Sequence, residues 1–266
     1  MPKFKLLLSD VDGTLVTKDK RLTPGVLAAV KKLEQAGIGF TIASSRPPIG
    51  FKMLVEPLGL KLPIGAFNGA TLLTPKLEVL EEHYIAEAAA KTAVEILKEY
   101  GASIWVFADG VWTITDPKGD YVDHEAKTIQ SAPVVLSSFD SVIARAGKIV
   151  GASRDFDRLA QCEAAMQKAL GTTAQATRSQ NYYLDITPAG LDKGSMVEAL
   201  SRRLSIPTEE IATIGDMSND VPMFKRSGFG IAMGNASDAV KAEAKGVTTS
   251  NEEDGFAVAV EKYILG

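Results

Sequence analysis

The sequence predicts an α/β fold: a doubly wound, Rossmann-like parallel sheet interrupted by an inserted α+β domain. Three observations predict it. Both ends of the chain alternate short continuous apolar runs with amphipathic helical stretches, the pattern of strands covered on both faces by crossover helices. Several of those runs end in clusters of polar residues, as expected where the carboxyl ends of parallel strands line one crevice. The middle of the chain instead pairs strands across a tight turn, which is antiparallel patterning.

In chain order, Phe4 to Ser9 (FKLLLS) reads as a buried strand that runs into Asp10-Val11-Asp12-Gly13-Thr14. A helix follows. Thr23 is its N-cap, Pro24 its first residue, and Val26, Ala29, Val30 and Leu33 its apolar face. Gly37 closes it, and Ile38 to Ala43 is the next strand, ending in Ser44-Ser45-Arg46. This is a βαβ unit of right-handed sense. A helix over Gly50 to Leu58 leads to a short strand near Ile64 to Phe67. In the middle, Ala86 to Tyr100 is a helix, and Ser103 to Ala108 and Val111 to Thr115 flank the hairpin dipeptide Asp109-Gly110. Lys148 to Ser153 and Tyr182 to Thr187 read as strands on either side of a helix over Asp155 to Leu170. Toward the C-terminus, helices at Ser195 to Leu204, Val221 to Lys225, Ala236 to Ala244 and Phe256 to Ile264 alternate with strands at Ile211 to Ile214 and Gly228 to Ala232. The expected division is a first core part over 1–81, an inserted domain over 82–187, and a second core part over 188–266.

Composition removes several function classes. The chain has 266 residues, enough for one large or two modest domains, with 45% hydrophobic and 23% charged residues, close to the globular average. Its net charge is −4 and it carries no long basic run, so nucleic acid and anionic membranes are poor partners. No apolar stretch reaches the ~20 residues of a membrane span. With Cys162 the single cysteine, no intrachain disulfide forms, and no signal-peptide pattern opens the sequence. A cytoplasmic location is the expectation. His83 and His124 are the only histidines, which argues against zinc. They are expected at the surface or a domain junction, and Cys162 is expected to pack. Trp105 and Trp112 are expected in the inserted domain's core or on its sheet surface.

Topology brings Asp10, Asp12, Ser44, Ser45, Asp216, Asn219 and Asp220 to one edge of the sheet. Four carboxylates converging in one pocket raise one another's pKa or require a cation. A site of oxygen donors with no Cys or His favours a hard ion, here Mg²⁺. Lys193 opens a helix and can neutralise phosphate oxygens, and Ser44 offers a hydroxyl beside backbone N–H groups. The second aspartate of Asp10-x-Asp12 suits a division of labour, one carboxylate attacking phosphorus and the other moving protons.

These residues resemble the motifs of the haloacid dehalogenase superfamily of phosphohydrolases. Asp10-Val11-Asp12-Gly13-Thr14-Leu15 resembles its first motif, Ala43-Ser44-Ser45-Arg46 its second, Lys193 its third, and Gly215-Asp216-Met217-Ser218-Asn219-Asp220 its fourth. Phe67-Asn68-Gly69-Ala70, Ala232-Met233-Gly234-Asn235-Ala236 and Glu253-Asp254-Gly255 resemble further signatures of the Cof-type branch. Only ~30 residues separate the first two motifs and ~150 the second and third, so the inserted domain takes the place of that branch's type IIB cap, with αββ patterning. The resemblance implies a phosphatase acting on small phosphate monoesters such as sugar phosphates. Asp10 would be the nucleophile, forming an aspartyl-phosphate, and Asp12 the acid and base. Mg²⁺ would be bound by Asp10, the Asp12 main-chain carbonyl and Asp216, with Asp220 supporting it. Val11, Ser44, Ser45, Lys193 and Asn219 would hold the phosphoryl group, and Arg46 is either a substrate contact or a structural ion-pair partner. Ser45 stands where the family usually has Gly. At positive φ it would cost ~1 kcal/mol or more. The alternatives are a phosphomannomutase-like sugar phosphomutase and a catalytically silent phosphate-binding protein. A dehalogenase is weaker, since that chemistry needs neither the metal nor the second aspartate. Substrate identity and oligomeric state have no sequence signal.

Overall fold

The computed structural model describes residues 3–266. The first core part contains β1 (Leu6–Ser9), α1 (Pro24–Gln35), β2 (Gly39–Ile42), a short α2 (Lys52–Val55), β3 (Ile64–Ala66), β4 (Thr71–Leu73) and β5 (Val79–Glu82). The middle contains α3 (Glu87–Glu99), β6 (Ser103–Ala108), β7 (Val111–Ile114), α4 (Val122–Ile129), β8 (Val134–Val135), β9 (Ala146–Ala152), α5 (Phe156–Leu170), β10 (Ala174–Gln180) and β11 (Tyr183–Pro188). The second core part contains α6 (Lys193–Leu204), β12 (Ile211–Gly215), α7 (Val221–Arg226), β13 (Phe229–Ala232), α8 (Asp238–Ala242), β14 (Gly246–Val247) and α9 (Gly255–Ala259).

The core sheet has the order β14-β13-β12-β1-β2, and every pairing in it is parallel. From β1 the chain moves to β2 on one side and later returns as β12 on the other. The carboxyl end of β1 is therefore the switch point of the sheet, where a crevice opens. Leu6, Leu7 and Leu8 are all buried because helices cover both faces. Thr23 caps α1 by accepting the Val26 N–H at 3.1 Å, and Val26, Ala29, Val30 and Leu33 are buried, as the periodicity predicts.

The middle builds a separate sheet in the order β10-β11-β9-β6-β7-β8, backed by α3 and α5 over a core that includes Leu97, Leu159, Cys162 and Ile186. The Asp109-Gly110 turn joins β6 to β7 with φ of 52° and 73°, the double positive φ that the dipeptide favours. β5 ends at Glu82 and β11 at Pro188, so secondary structure runs through both expected crossings.

The structure corrects several element readings. The expected helix over Gly50 to Leu58 is a 3₁₀ turn at Pro48–Phe51 followed by the four-residue α2. The simple αββ reading also omits α4, β8 and β10. In β10 the inward residues Ala174 and Ala176 are small, so its alternation carries little hydrophobic contrast. β3, β4 and β5 form a small antiparallel sheet, tied to β2 through an Ala43–Gly65 bridge. Among the described residues no helix is long and apolar enough to cross a membrane.

Candidate active site

The polar ends of the strands meet as the topology predicts. Asp10 follows β1 directly and donates its N–H to Ile214 O at 2.9 Å, continuing the ladder with β12. The chain then coils, and the Val11 carbonyl accepts from Thr14, Leu15 and Val16 at 3.3, 2.9 and 3.1 Å. Val11's side chain is buried in the core, so only its backbone can serve a ligand. Gly13 makes this turn possible. Its φ is +86°, and a Cβ there would lie 2.8 Å from Asp216 Cγ.

Lys193 is the buried hub. Its ammonium lies 2.5 Å from Asp10 Oδ1 and 2.6 Å from Asp220 Oδ1. Asp220 Oδ2 accepts the N–H groups of Asp216 and Met217, both at 2.9 Å. Asp220 is thus saturated, and it shapes the loop that presents Asp216. Asp216 receives the Asn235 amide at 3.1 Å and the Thr14 hydroxyl at 3.4 Å. Asp10 Oδ2 is buried and has no hydrogen-bond partner.

Charge is unevenly balanced here. Burial raises the Asp10 carboxyl to about 7, with Lys193 opposing and Asp220 adding to the rise. Burial also raises Asp216 well above the carboxylate range, reinforced by Asp10 and Asp220. Burial disfavours the Lys193 charge, yet its two carboxylate partners outweigh that and push its pKa above the ordinary lysine value. One ammonium does not neutralise three carboxylates. The carboxylates of Asp10, Asp216 and Asp220 lie within 4.8 Å of one another. Asp220 is already occupied, while Asp10 keeps an unpartnered oxygen. This donor set fits a hard divalent cation at Asp10 and Asp216.

Asp12 faces the other way. Arg46 grips it bidentately, Nε to Oδ2 at 2.7 Å and Nη2 to Oδ1 at 2.9 Å, and Lys20 Nζ adds 2.7 Å to Oδ1. Burial alone would raise this carboxyl, but the Arg46 and Lys20 charges outweigh it and hold it well below the usual range. Arg46 is buried, donates also to Gly50 O at 3.0 Å, and is an ion-pair partner in this arrangement.

Ser44 is buried, and its Oγ accepts the Arg46 N–H at 3.2 Å. Ser45 does not adopt a positive φ, so its replacement of Gly brings no backbone strain. Asn219 donates to Asn68 Oδ1 at 3.1 Å, while its own Oδ1 is buried without a partner. Phe67, Asn68 and Gly69 form a left-handed run with φ of 50°, 58° and 97°, backbone strain of a kind that concentrates at functional sites. The Phe67 ring packs on Phe107 of the second sheet, in a buried cluster that also holds Trp105 and Trp112. His124 lies near Tyr121 and Tyr182 at the domain junction, and His83 pairs with Glu81 at 2.9 Å.

Site neighbours that the motif reading did not assign are Thr14, Lys20, Asn68, Asn235, Glu125, Lys148 and Asp185. Thr14, Asn68 and Asn235 lie inside the noted segments. Lys148 carried a signal too, a lysine within the fully buried strand β9. A cavity of about 310 Å³ borders Lys193 and Asn219 and reaches Thr177, Asp185 and Thr187 of the second sheet. A narrower cleft of about 30 Å³ lies over Asp12, Arg46, His124, Glu125, Lys148 and Tyr182.

Residues 7–260 match the family model of haloacid dehalogenase-like hydrolases. The chain belongs to that family. It is 27% identical to a 5-amino-6-(5-phospho-D-ribitylamino)uracil phosphatase of Bacillus subtilis, covering 99% of each chain. It is 29% identical to an HMP-PP phosphatase of Enterobacter sp., over 90% of this chain and 87% of that one. In fold it is similar to a haloacid dehalogenase subclass IIB sugar phosphatase, with a TM-score of 0.87 at 22% identity, covering 97% of this chain and 98% of the other. The core sheet is thus the family's Rossmann-like domain, and the six-stranded sheet is its cap.

Proposed function

We propose that the protein is a Mg²⁺-dependent phosphatase that hydrolyses small phosphate monoesters, sugar phosphates first among them, through an aspartyl-phosphate on Asp10. The observation that carries this reading is the buried Asp10–Lys193–Asp220 cluster, with Asp10 Oδ2 left unpartnered at the switch point of the sheet. A carboxylate at neutral pH is a nucleophile only if it is ionised and aimed, and Lys193 serves both needs.

Asp10 and Asp216 would hold the cation, with the Asp12 main-chain carbonyl, while Asp220 keeps the Asp216 loop and Lys193 in place. A bound Mg²⁺ would offset the carboxylate charge and polarise the phosphoryl oxygens. Ser44, the Ser45 N–H, the Val11 backbone, Lys193 and Asn219 would hold the phosphoryl group. The Asp10 oxygen bonds to phosphorus as the bond to the leaving oxygen breaks, and that oxygen takes a proton from Asp12. Asp12 then takes a proton from water, whose oxygen bonds to phosphorus and releases Asp10. The state seen here, with Asp12 ionised by Arg46 and Lys20, suits the second half of the cycle. The first half needs one of those cations to withdraw. The leaving group, which takes its proton from Asp12, would face the narrower cleft, lined also by Lys20, His124, Thr128, Gln180 and Tyr182. Such hydrogen-bonding groups favour a hydroxylated leaving group. The ribityl phosphate named for the Bacillus subtilis relative is of that chemical kind.

The test is phosphate release from sugar phosphates, nucleotides and an aryl phosphate, with Mg²⁺, with chelator, and with Asp10→Asn as control. Stoichiometric, metal-dependent release that vanishes in the variant is the expected result. Isomerised sugar phosphate without free phosphate would instead establish a mutase, and no turnover of any compound would leave a silent binding protein.

A further inference from the structure

Lys148 lies on β9, the strand between β6 and β11 near the middle of the cap sheet, and it is buried. Its ammonium is 2.9 Å from Asp185 Oδ2 on β11. The same ammonium crosses to the core and donates to the Ser45 main-chain oxygen at 2.7 Å. The carbonyls on either side of that oxygen are held by the core itself. Ser44 O accepts the Asn68 N–H at 2.9 Å, and Arg46 O accepts the Phe67 N–H at 3.1 Å. The carbonyl between them, of Ser45, is held from the cap. Its peptide continues into the Arg46 N–H, which donates to Ser44 Oγ at 3.2 Å. The Arg46 side chain then carries the connection to Asp12.

We infer that Lys148 is a positioning residue: seating of the cap brings its ammonium onto the Ser45 carbonyl and fixes the Ser44-Ser45-Arg46 loop in its phosphate-binding form. A charge-assisted hydrogen bond in a site shielded from water orients a peptide far better than bulk solvent does. Two left-handed residues, Phe67 and Asn68, hold the loop's other two carbonyls, so the loop is fully set only when the cap supplies the third contact. Asp185 keeps Lys148 aimed. This inference rests on the phosphatase reading for the loop's role.

The experiment compares wild type, Lys148→Met and the double variant Lys148→Met/Asp185→Leu. Replacing a whole buried ion pair with apolar residues of similar size is often neutral for stability, so the double variant covers the case in which the single one misfolds. The affinity for inorganic phosphate in the presence of Mg²⁺ is measured by calorimetry, together with Tm. KM and kcat are measured for substrates with different leaving groups. The expected result is about a tenfold weaker phosphate affinity in both folded variants, equivalent to about 1.4 kcal/mol. The rise in KM should have the same factor for every leaving group, and Tm of the double variant should stay near wild type. Unchanged phosphate affinity would overturn the inference. So would a KM effect that varies with the leaving group, because Lys148 would then be contacting the substrate's organic part. Failure of the phosphatase reading shows separately, as wild type that releases no phosphate, and phosphate binding still decides the role of Lys148.

Discussion

Gly13→Ala set against Gly37→Ala isolates what the turn after Asp10 does. Both glycines have positive φ, +86° and +72°, so both substitutions carry a left-handed backbone penalty of about 1–2 kcal/mol. For a chain of this length that lowers Tm by about 2–8 °C. They differ in what the new methyl group meets. At Gly37 there is open space. At Gly13 the methyl carbon would overlap Asp216 Oδ2 and sit 2.8 Å from its Cγ, so relief to the 3.4 Å of an ordinary contact moves that carboxyl by at least about 0.6 Å. Metal sites tolerate about 0.2 Å. The displacement also strains the bond from Asn235 to Asp216. Even the loss of a supporting contact typically weakens metal affinity about 10–100-fold, and Gly13→Ala should raise the Mg²⁺ concentration for half-maximal phosphate release by at least that much. Gly37→Ala should leave it unchanged despite a similar loss of Tm. A Gly13→Ala enzyme that half-saturates at the wild-type Mg²⁺ concentration would refute the placement of Asp216 at the metal.

Other predictions follow from the same site. Asp12→Ala should lose most turnover with sugar phosphates and much less with an aryl phosphate, whose leaving group needs no proton; equal losses would argue against the acid role. Lys193→Met should cost about 3–5 kcal/mol at neutral pH, because it leaves the buried Asp10 and Asp220 charges unpaired. Its deficit should shrink toward pH 5, where Asp10, raised to about 7 by burial, takes up a proton in the folded state, and a variant as stable as wild type in a pH 8 melt would contradict the pairing. In metal-free protein, Asp10 rises from its ordinary 3.8 to about 7, so the folded state holds the proton more tightly than the unfolded state. The stability this provides is present below about pH 4 and is lost as pH climbs through about 7. Mg²⁺ replaces that proton, so the increase in Tm on adding Mg²⁺ should be larger at pH 8 than at pH 5; equal shifts at both pH values would sink the argument.

By itself the sequence determined the core sheet and where its chemistry gathers. Short continuous apolar runs such as Leu6 to Leu8, closed by turn residues, fit strands buried on both faces, and topology carries the residues that follow such strands to one edge. Asp10, Ser44, Asp216 and Asn219 could therefore be placed together before any coordinates. The Asp109-Gly110 hairpin was equally legible, because its turn depends on two local φ angles. The tertiary structure alone decided the partners. Nothing local distinguishes Asp12 from Asp10, yet one is bound by Arg46 and Lys20 and the other by Lys193, and their pKa values part in opposite directions. The contact from Lys148 to Ser45 spans 103 positions and two sheets. The β10 strand was also illegible because its inward residues are small, and the eight-residue α4 because it lacks the usual cap residues, opening after a left-handed Tyr121 and closing on a left-handed Gln130. Periodicity and turn chemistry are written in neighbouring residues, whereas the pairing of buried charges is set by which distant chains close around them.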